Sequence, residues 1–187
     1  MRELKRNNKP TPKIVAAEFL SEDKLHDIIN FTDFLHDNGL KLRWAARNAW
    51  TVKFFCNPIM SRLRINTDEK SWNVQLNFFY KYNDKITDDG LKNFVWENLY
   101  YSRAGCHQDA DGNCRNQSCA NVLGKKIDRV CCCGQIKIVN PTGQAVECIK
   151  ALVLIAKEIV ENAIAEGRIE KSNKNVSYDL IGNTPID

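Results

Sequence analysis

At 187 residues the chain can enclose one substantial hydrophobic core but not two large independent domains. Its 27 Lys and Arg against 23 Asp and Glu leave a formal charge of +4, which suits a nucleic acid, an acidic ligand or plain solubility and selects none of them. The apolar run ALVLIA, Ala151 to Ala156, falls far short of the roughly 20 residues of a membrane-spanning helix, and Met1 to Lys13 leads into no hydrophobic signal-peptide core; no membrane partner is expected, and the cytoplasm is the expected compartment.

Residues 1–15 read as a flexible basic N-terminus. Arg2, Lys5, Arg6, Lys9 and Lys13 repel one another there, while Pro10 and Pro12 oppose regular hydrogen bonding. Residues 16–167 then read as one α+β domain. Its first helix is predicted over Ser21 to Asn38: Ser21 as cap, Glu22 and Asp23 at the positive end, Leu20 packed on Leu25, and Gly39 as terminator. Leu25, Ile28, Thr32 and Leu35 recur at helical spacing. His26 and His36 are too far apart to form a ligand pair on adjacent turns.

The period then changes to two. Trp50, Val52, Phe54 and Cys56 alternate with Thr51, Lys53, Phe55 and Asn57. Ile59, Leu63 and Ile65 oppose Arg62 and Arg64, and Trp72, Val74, Leu76, Phe78 and Tyr80 form a third face. Short polar connections between these runs predict an antiparallel meander. A middle helix is expected from a Thr87 cap, with Leu91, Phe94, Val95 and Leu99 as its stripe, ending by Ser102 or Gly105. Residues 104–126 read as a cysteine-rich insert without regular structure. A fourth strand is predicted over Val130 to Val139, with Val130, Cys132, Ile136 and Ile138 on one side. The last helix is predicted from Gln144 to Glu166 with Gly167 as its stop, Val146, Ile149, Val153, Ala156, Val160, Ala163 and Ile164 as its stripe, and Leu152, Leu154, Ile155 and Ile159 widening it. Residues 168–187 form a tail that Tyr178, Leu180 and Ile181 can anchor.

The fold expected is therefore α+β: an antiparallel sheet of about four or more strands packed by an N-terminal, a middle and a long C-terminal helix, with the insert. No glycine pattern between a strand and a helix makes a phosphate loop of the Rossmann or Walker kind.

Eight cysteines are many for this length. Cys56 and Cys148 fall on strand and helix patterns where a compact thiol fills a core. Cys106, Cys114, Cys119 and Cys131 could together surround Zn²⁺, tying the insert down and offsetting its conformational entropy, with Cys133 or His107 as alternative ligands. No CxxC pair is present. Reduced structural thiols explain the same residues equally well, and disulfide or redox chemistry is the third account. Cys106 beside His107 raises a thiol nucleophile, although adjacency in sequence sets no side-chain geometry. The DADGN segment, Asp109 to Asn113, has its glycine too early for an EF-hand and reads as a turn.

Arg43, Trp44, Arg47, Lys53, Arg62, Arg64 and Tyr82, with Trp50 and Tyr80 nearby in sequence, could place cations and aromatic rings around the sheet for an anionic ligand or a single-stranded nucleic acid. Packing of the rings and ordinary solvation of the charges is the competing account.

The segments WTVKFFCNPIMSRLRI, SWNVQLNFFY and VECIKALVLIAKEI resemble the strand, strand and closing helix of YdhG-like small α+β domains. The resemblance implies a compact sheet-and-helix domain without an assigned activity, and transfers no catalytic residue. The reading that follows is a noncatalytic domain binding an anionic small molecule or a protein, with a structural metal site. A zinc-supported nucleic-acid-binding regulator is the alternative, a thiol-dependent enzyme comes third, and a homodimer is compatible with the apolar last helix.

Overall fold

The computed structural model describes residues 9–55, 57–77, 82–100, 118–130 and 135–169. Its first helix, α1 (Pro12–Phe19), lies partly inside the segment expected to be flexible. Pro12 occupies the first turn, where its preset φ favours the helix and its missing N–H would have had no partner, and the Thr11 hydroxyl accepts from the Ile14 N–H at 3.4 Å. Proline as an opponent of structure was the wrong reading for this position. Val15 and Ala16 are buried, and Lys13 pairs with Asp33 of the next helix.

That helix, α2 (Glu22–Asp37), has the expected span, but Ser21 at its N-cap makes no side-chain capping bond. Ile28, Phe31, Thr32 and Leu35 form its buried stripe. Gly39 ends it with φ +71°, a left-handed geometry that costs glycine little, and the Leu40 N–H returns to the Leu35 carbonyl.

Four strands follow: β1 (Lys41–Ala46), β2 (Ala49–Phe54), β3 (Asn57–Asn66) and β4 (Ser71–Asn77). The last three are the expected meander. β1 escaped sequence reading because it is an edge strand exposed along nearly its whole length, so burial imposes no period on it. Register shifts between β2 and β3 let Ile59 and Met60, neighbours in sequence, both be buried.

The middle helix α3 (Asp89–Glu97) is capped by Asp88 and not by Thr87: Asp88 Oδ1 accepts from the Leu91 N–H at 2.7 Å. It stops at Asn98, earlier than expected, because the chain enters the short strand β5 (Leu99–Tyr100). The insert holds regular structure as well. Strands β6 (Ser118–Val122) and β7 (Lys125–Val130) pair as a separate hairpin. Its tip is held to the body by Trp96 Nε1 donating to the Val122 carbonyl at 2.8 Å. Asn83 adds two bonds, donating to the Asn121 carbonyl and accepting from the Leu123 N–H. Val122 and Leu123 join the main core.

β8 (Gln135–Val139) completes the sheet in the order β1-β2-β3-β4-β8-β5, antiparallel throughout. Val130 belongs to β7 and not to this strand, so the face drawn through Val130, Cys132, Ile136 and Ile138 joined two different sheets. Asn140, at φ +45°, fixes the β4 to β8 junction: its side chain accepts from the Trp72 N–H at 2.9 Å and its own N–H donates back to Trp72. The last helix, α4 (Gln144–Ala165), buries Val146, Ile149, Leu152, Val153, Ala156, Val160 and Ala163, while Leu154, assigned to the broad apolar surface, is 40% exposed.

The fold is α+β, as expected: an antiparallel sheet with N-terminal, middle and C-terminal helices. Trp50, Val52, Leu63, Ile65, Trp72, Val74, Leu76, Ile136 and Ile138 make the inner face, and with the buried residues of α1, α2 and α4 they form one continuous core. Among the described residues no helix is long and apolar enough to cross a membrane.

Candidate functional site

Strand alternation sends the residues between those core positions to the opposite face. Lys41 pairs with Lys53, and Arg43 with Thr51; Arg62 pairs with Gln75, which pairs with Lys137; Arg64 pairs with Asn73, which pairs with Val139. Thr51 sits between Trp50 and Val52, whose partners are Leu63 and Met60, so it faces the stretch of β3 that holds Arg62. Arg43, Thr51 and Arg62 thus form one row across three strands. Lys41 and Lys53 lie to one side of it, and Arg64 to the other. Arg47 extends the cationic zone into the β1 to β2 turn, next to Asn48 at φ +50°.

None of the six strands of this sheet contains an Asp or a Glu. Lys41, Arg43, Arg47, Arg62 and Arg64 are exposed, and no ion pair among the described residues involves them. Glu69, in the turn after β3, accepts instead from Asn66 and Ser71. Lys53, Gln75 and Lys137 already engage other groups, and Asn73 is buried. The open part of the face is therefore its β1 to β3 side.

The ligand set read from sequence divides accordingly. Arg43, Arg47, Lys53, Arg62 and Arg64 come together on or beside one face. Trp44 does not: its register partner is Trp50, which places it on the helix side of the edge strand, 40% exposed, with the Lys9 ammonium 5.5 Å from its ring centre. Trp50 is core, its indole N–H donating to the Pro10 carbonyl at 3.1 Å. Tyr82 is core too. It lies in the turn after β4, where its carbonyl accepts from Lys85 and Ile86. It is 8% exposed, and burial pushes its hydroxyl pKa up to about 12. Lys41 and Lys137 are cations that sequence reading passed over; the pairing of β1 with β2, and of β4 with β8, reveals them. Tyr80 lies outside the described residues.

Cys106, Cys114, Cys131 and Cys133, with His107, also lie outside the described residues, as does Cys56; of the proposed metal ligands, Cys119 alone falls on a described strand, β6. Among the described residues no group of three or more His, Cys, Asp or Glu side chains converges. Cys148 on α4 is a half-buried free thiol. Burial first, then the carboxylates of Asp88 and Glu147, push its pKa up, which is the wrong direction for a nucleophile at neutral pH.

Comparison of the chain with protein-family models, curated proteins and solved structures found no match.

Proposed function

We propose that this chain is a noncatalytic binding domain that takes an anionic ligand on the outer face of its sheet. The supporting observation is the absence of any carboxylate from six strands whose outward positions include Lys41, Arg43, Arg62 and Arg64. A solvated face chosen for solubility alone works as well with mixed signs, and interspersed Asp and Glu would relieve the repulsion among neighbouring cations. An unopposed set of guanidinium groups is suited to phosphate or carboxylate, which they meet bidentately. Calorimetric titration of the full chain with inorganic polyphosphate, pyrophosphate and citrate tests this. Saturable binding that weakens as salt rises is expected, and Arg43→Glu with Arg62→Glu should abolish it without lowering the thermal midpoint. Absence of saturable binding for all three anions overturns the reading.

We also propose that one structural Zn²⁺ ties the open end of the hairpin. The β6 to β7 register sets Ser118 opposite Val130, and these are the chain neighbours of Cys119 and Cys131. Protein isolated without chelator should carry about one Zn²⁺ per chain, lowered by Cys119→Ser. Reduced protein that carries no metal and gains no stability from added zinc refutes it.

A further inference from the structure

We propose that the outer face of β1 to β3 binds a single strand of nucleic acid, its backbone running along the strand direction between Lys41 and Arg47. This rests on the anion-binding reading above and names its ligand class.

The first argument is spacing. Cations two residues apart on one strand, such as Arg62 and Arg64 or Lys41 and Arg43, stand about 6.7 Å apart, and Arg43 and Arg62, two strands apart, about 10 Å. Side chains standing side by side on a pleated surface do not converge on one point, so a compact anion reaches one or two of them and leaves the rest unpaired. A polymer carrying one charge per monomer meets all of them in succession. A stacked single strand advances about 3.4 Å per phosphate, so rows about 6.7 Å apart meet every second phosphate.

The second argument is shape. Adjacent strands are rotated by about 20–25°, so the three strands form a twisted surface. A linear chain follows such a surface, whereas a flat anionic bilayer touches only part of it. No described helix stands on this face to enter a duplex groove.

The third argument is side-chain chemistry. Of the cations on or beside the β1 to β3 face, Arg43, Arg47, Arg62 and Arg64 are arginine, and Lys41 and Lys53 are lysine. The guanidinium plane forks onto phosphate and also stacks on an unpaired base, which an ammonium cannot do. Such stacking distinguishes a nucleic acid from an acidic peptide, which offers carboxylates without flat rings.

Fluorescence anisotropy of the full chain with labelled oligothymidylate is the test, with inorganic polyphosphate, an acidic peptide and phosphatidylserine vesicles as parallel probes. The logarithm of the association constant should fall with the logarithm of salt with a slope of about −2 to −3.5, corresponding to about three to five phosphates. Arg43→Ala, Arg62→Ala and Arg64→Ala should each weaken binding by about fivefold and shrink that slope by about 0.7. Lys85→Ala, on the far side beside α4, should change nothing. Arg62→Lys, which keeps the charge and loses the plane, should weaken binding of oligothymidylate but not of polyphosphate. If polyphosphate binds and oligothymidylate does not, or if Arg62→Lys affects neither, the nucleic-acid assignment falls while the anion-binding reading stands. Preference for the acidic peptide or the vesicles overturns the assignment in favour of those partners. If no probe binds, both fall.

Discussion

The two faces of the sheet are built by the same strands with the same alternation, yet they answer to different demands. On the inner face Trp50, Val52, Leu63, Ile65, Trp72 and Val74 are all at or below 2% exposure, and their identity follows from the helices that cover them. On the outer face Arg43, Arg62 and Arg64 stand exposed, and nothing in the packing requires them to be cations, still less to be free of neighbouring carboxylates. The inner face is explained by folding. The outer face is not, and what folding leaves unexplained is where a functional reading belongs.

That difference is open to direct attack. The largest effect is expected where the core meets its longest helix. Val153 is fully buried on α4, so Val153→Asp places a charge where the core provides no partner, and denaturant unfolding should show a loss of several kcal/mol or no cooperative transition at all. A midpoint equal to that of the parent chain would mean that α4 does not cover the inner face. One step smaller is Leu63→Ala, which should cost about 2–5 kcal/mol through lost burial and the cavity left behind. Its neighbours in sequence, Arg62 and Arg64, point the other way, which makes this strand the sharpest place to compare the faces.

Tyr82 tests the boundary between the two sets, because sequence reading put it with the ligand contacts and the structure puts it in the core. The folded chain holds its proton up to about pH 12, whereas the unfolded chain releases it near the ordinary tyrosine value of 10. Stability is therefore unaffected by this group at neutral pH and falls as pH rises from about 10 to about 12, by about 2–3 kcal/mol in all. The measurement is the difference in alkaline slope between the parent chain and Tyr82→Phe, which isolates this group. Equal slopes would return Tyr82 to the surface.

Burial governs how much of this was legible beforehand. β2, β3 and β4 announced themselves because one side of each is pressed against helices, which imposes a strict period of two. β1 has no such pressure, and its loss from the sequence reading also hid Lys41 and the row joining Arg43 to Arg62. Individual cations are visible in a sequence; the row is a property of pairing, and pairing between strands is a long-range fact. The hairpin β6 to β7 was obscured because, among its described side chains, Val122 and Leu123 at the tip are the ones that join the core, too few to impress a period on the sequence. α1 was masked by Pro12, whose effect on a helix depends on the turn it occupies.

The smallest expected effect bears most closely on function. Arg62→Ala and Arg64→Ala remove long side chains from an exposed face, and substitutions of that kind usually change stability by less than about 0.5 kcal/mol. Here the sign is informative as well. Each arginine sits about 6.7 Å along the strand from the other, near enough for repulsion at low salt, and no described carboxylate pairs with either. Removing one charge should therefore leave the thermal midpoint unchanged or raise it slightly at low ionic strength, with the gain vanishing as salt screens the repulsion. A face retained for stability must behave in the opposite way: each alanine would lower the midpoint, and salt would not erase the loss. Thermal melts of both variants at low and high salt separate these outcomes. Residues whose removal slightly stabilises the free domain while weakening anion binding are the pattern of a surface kept for its ligand.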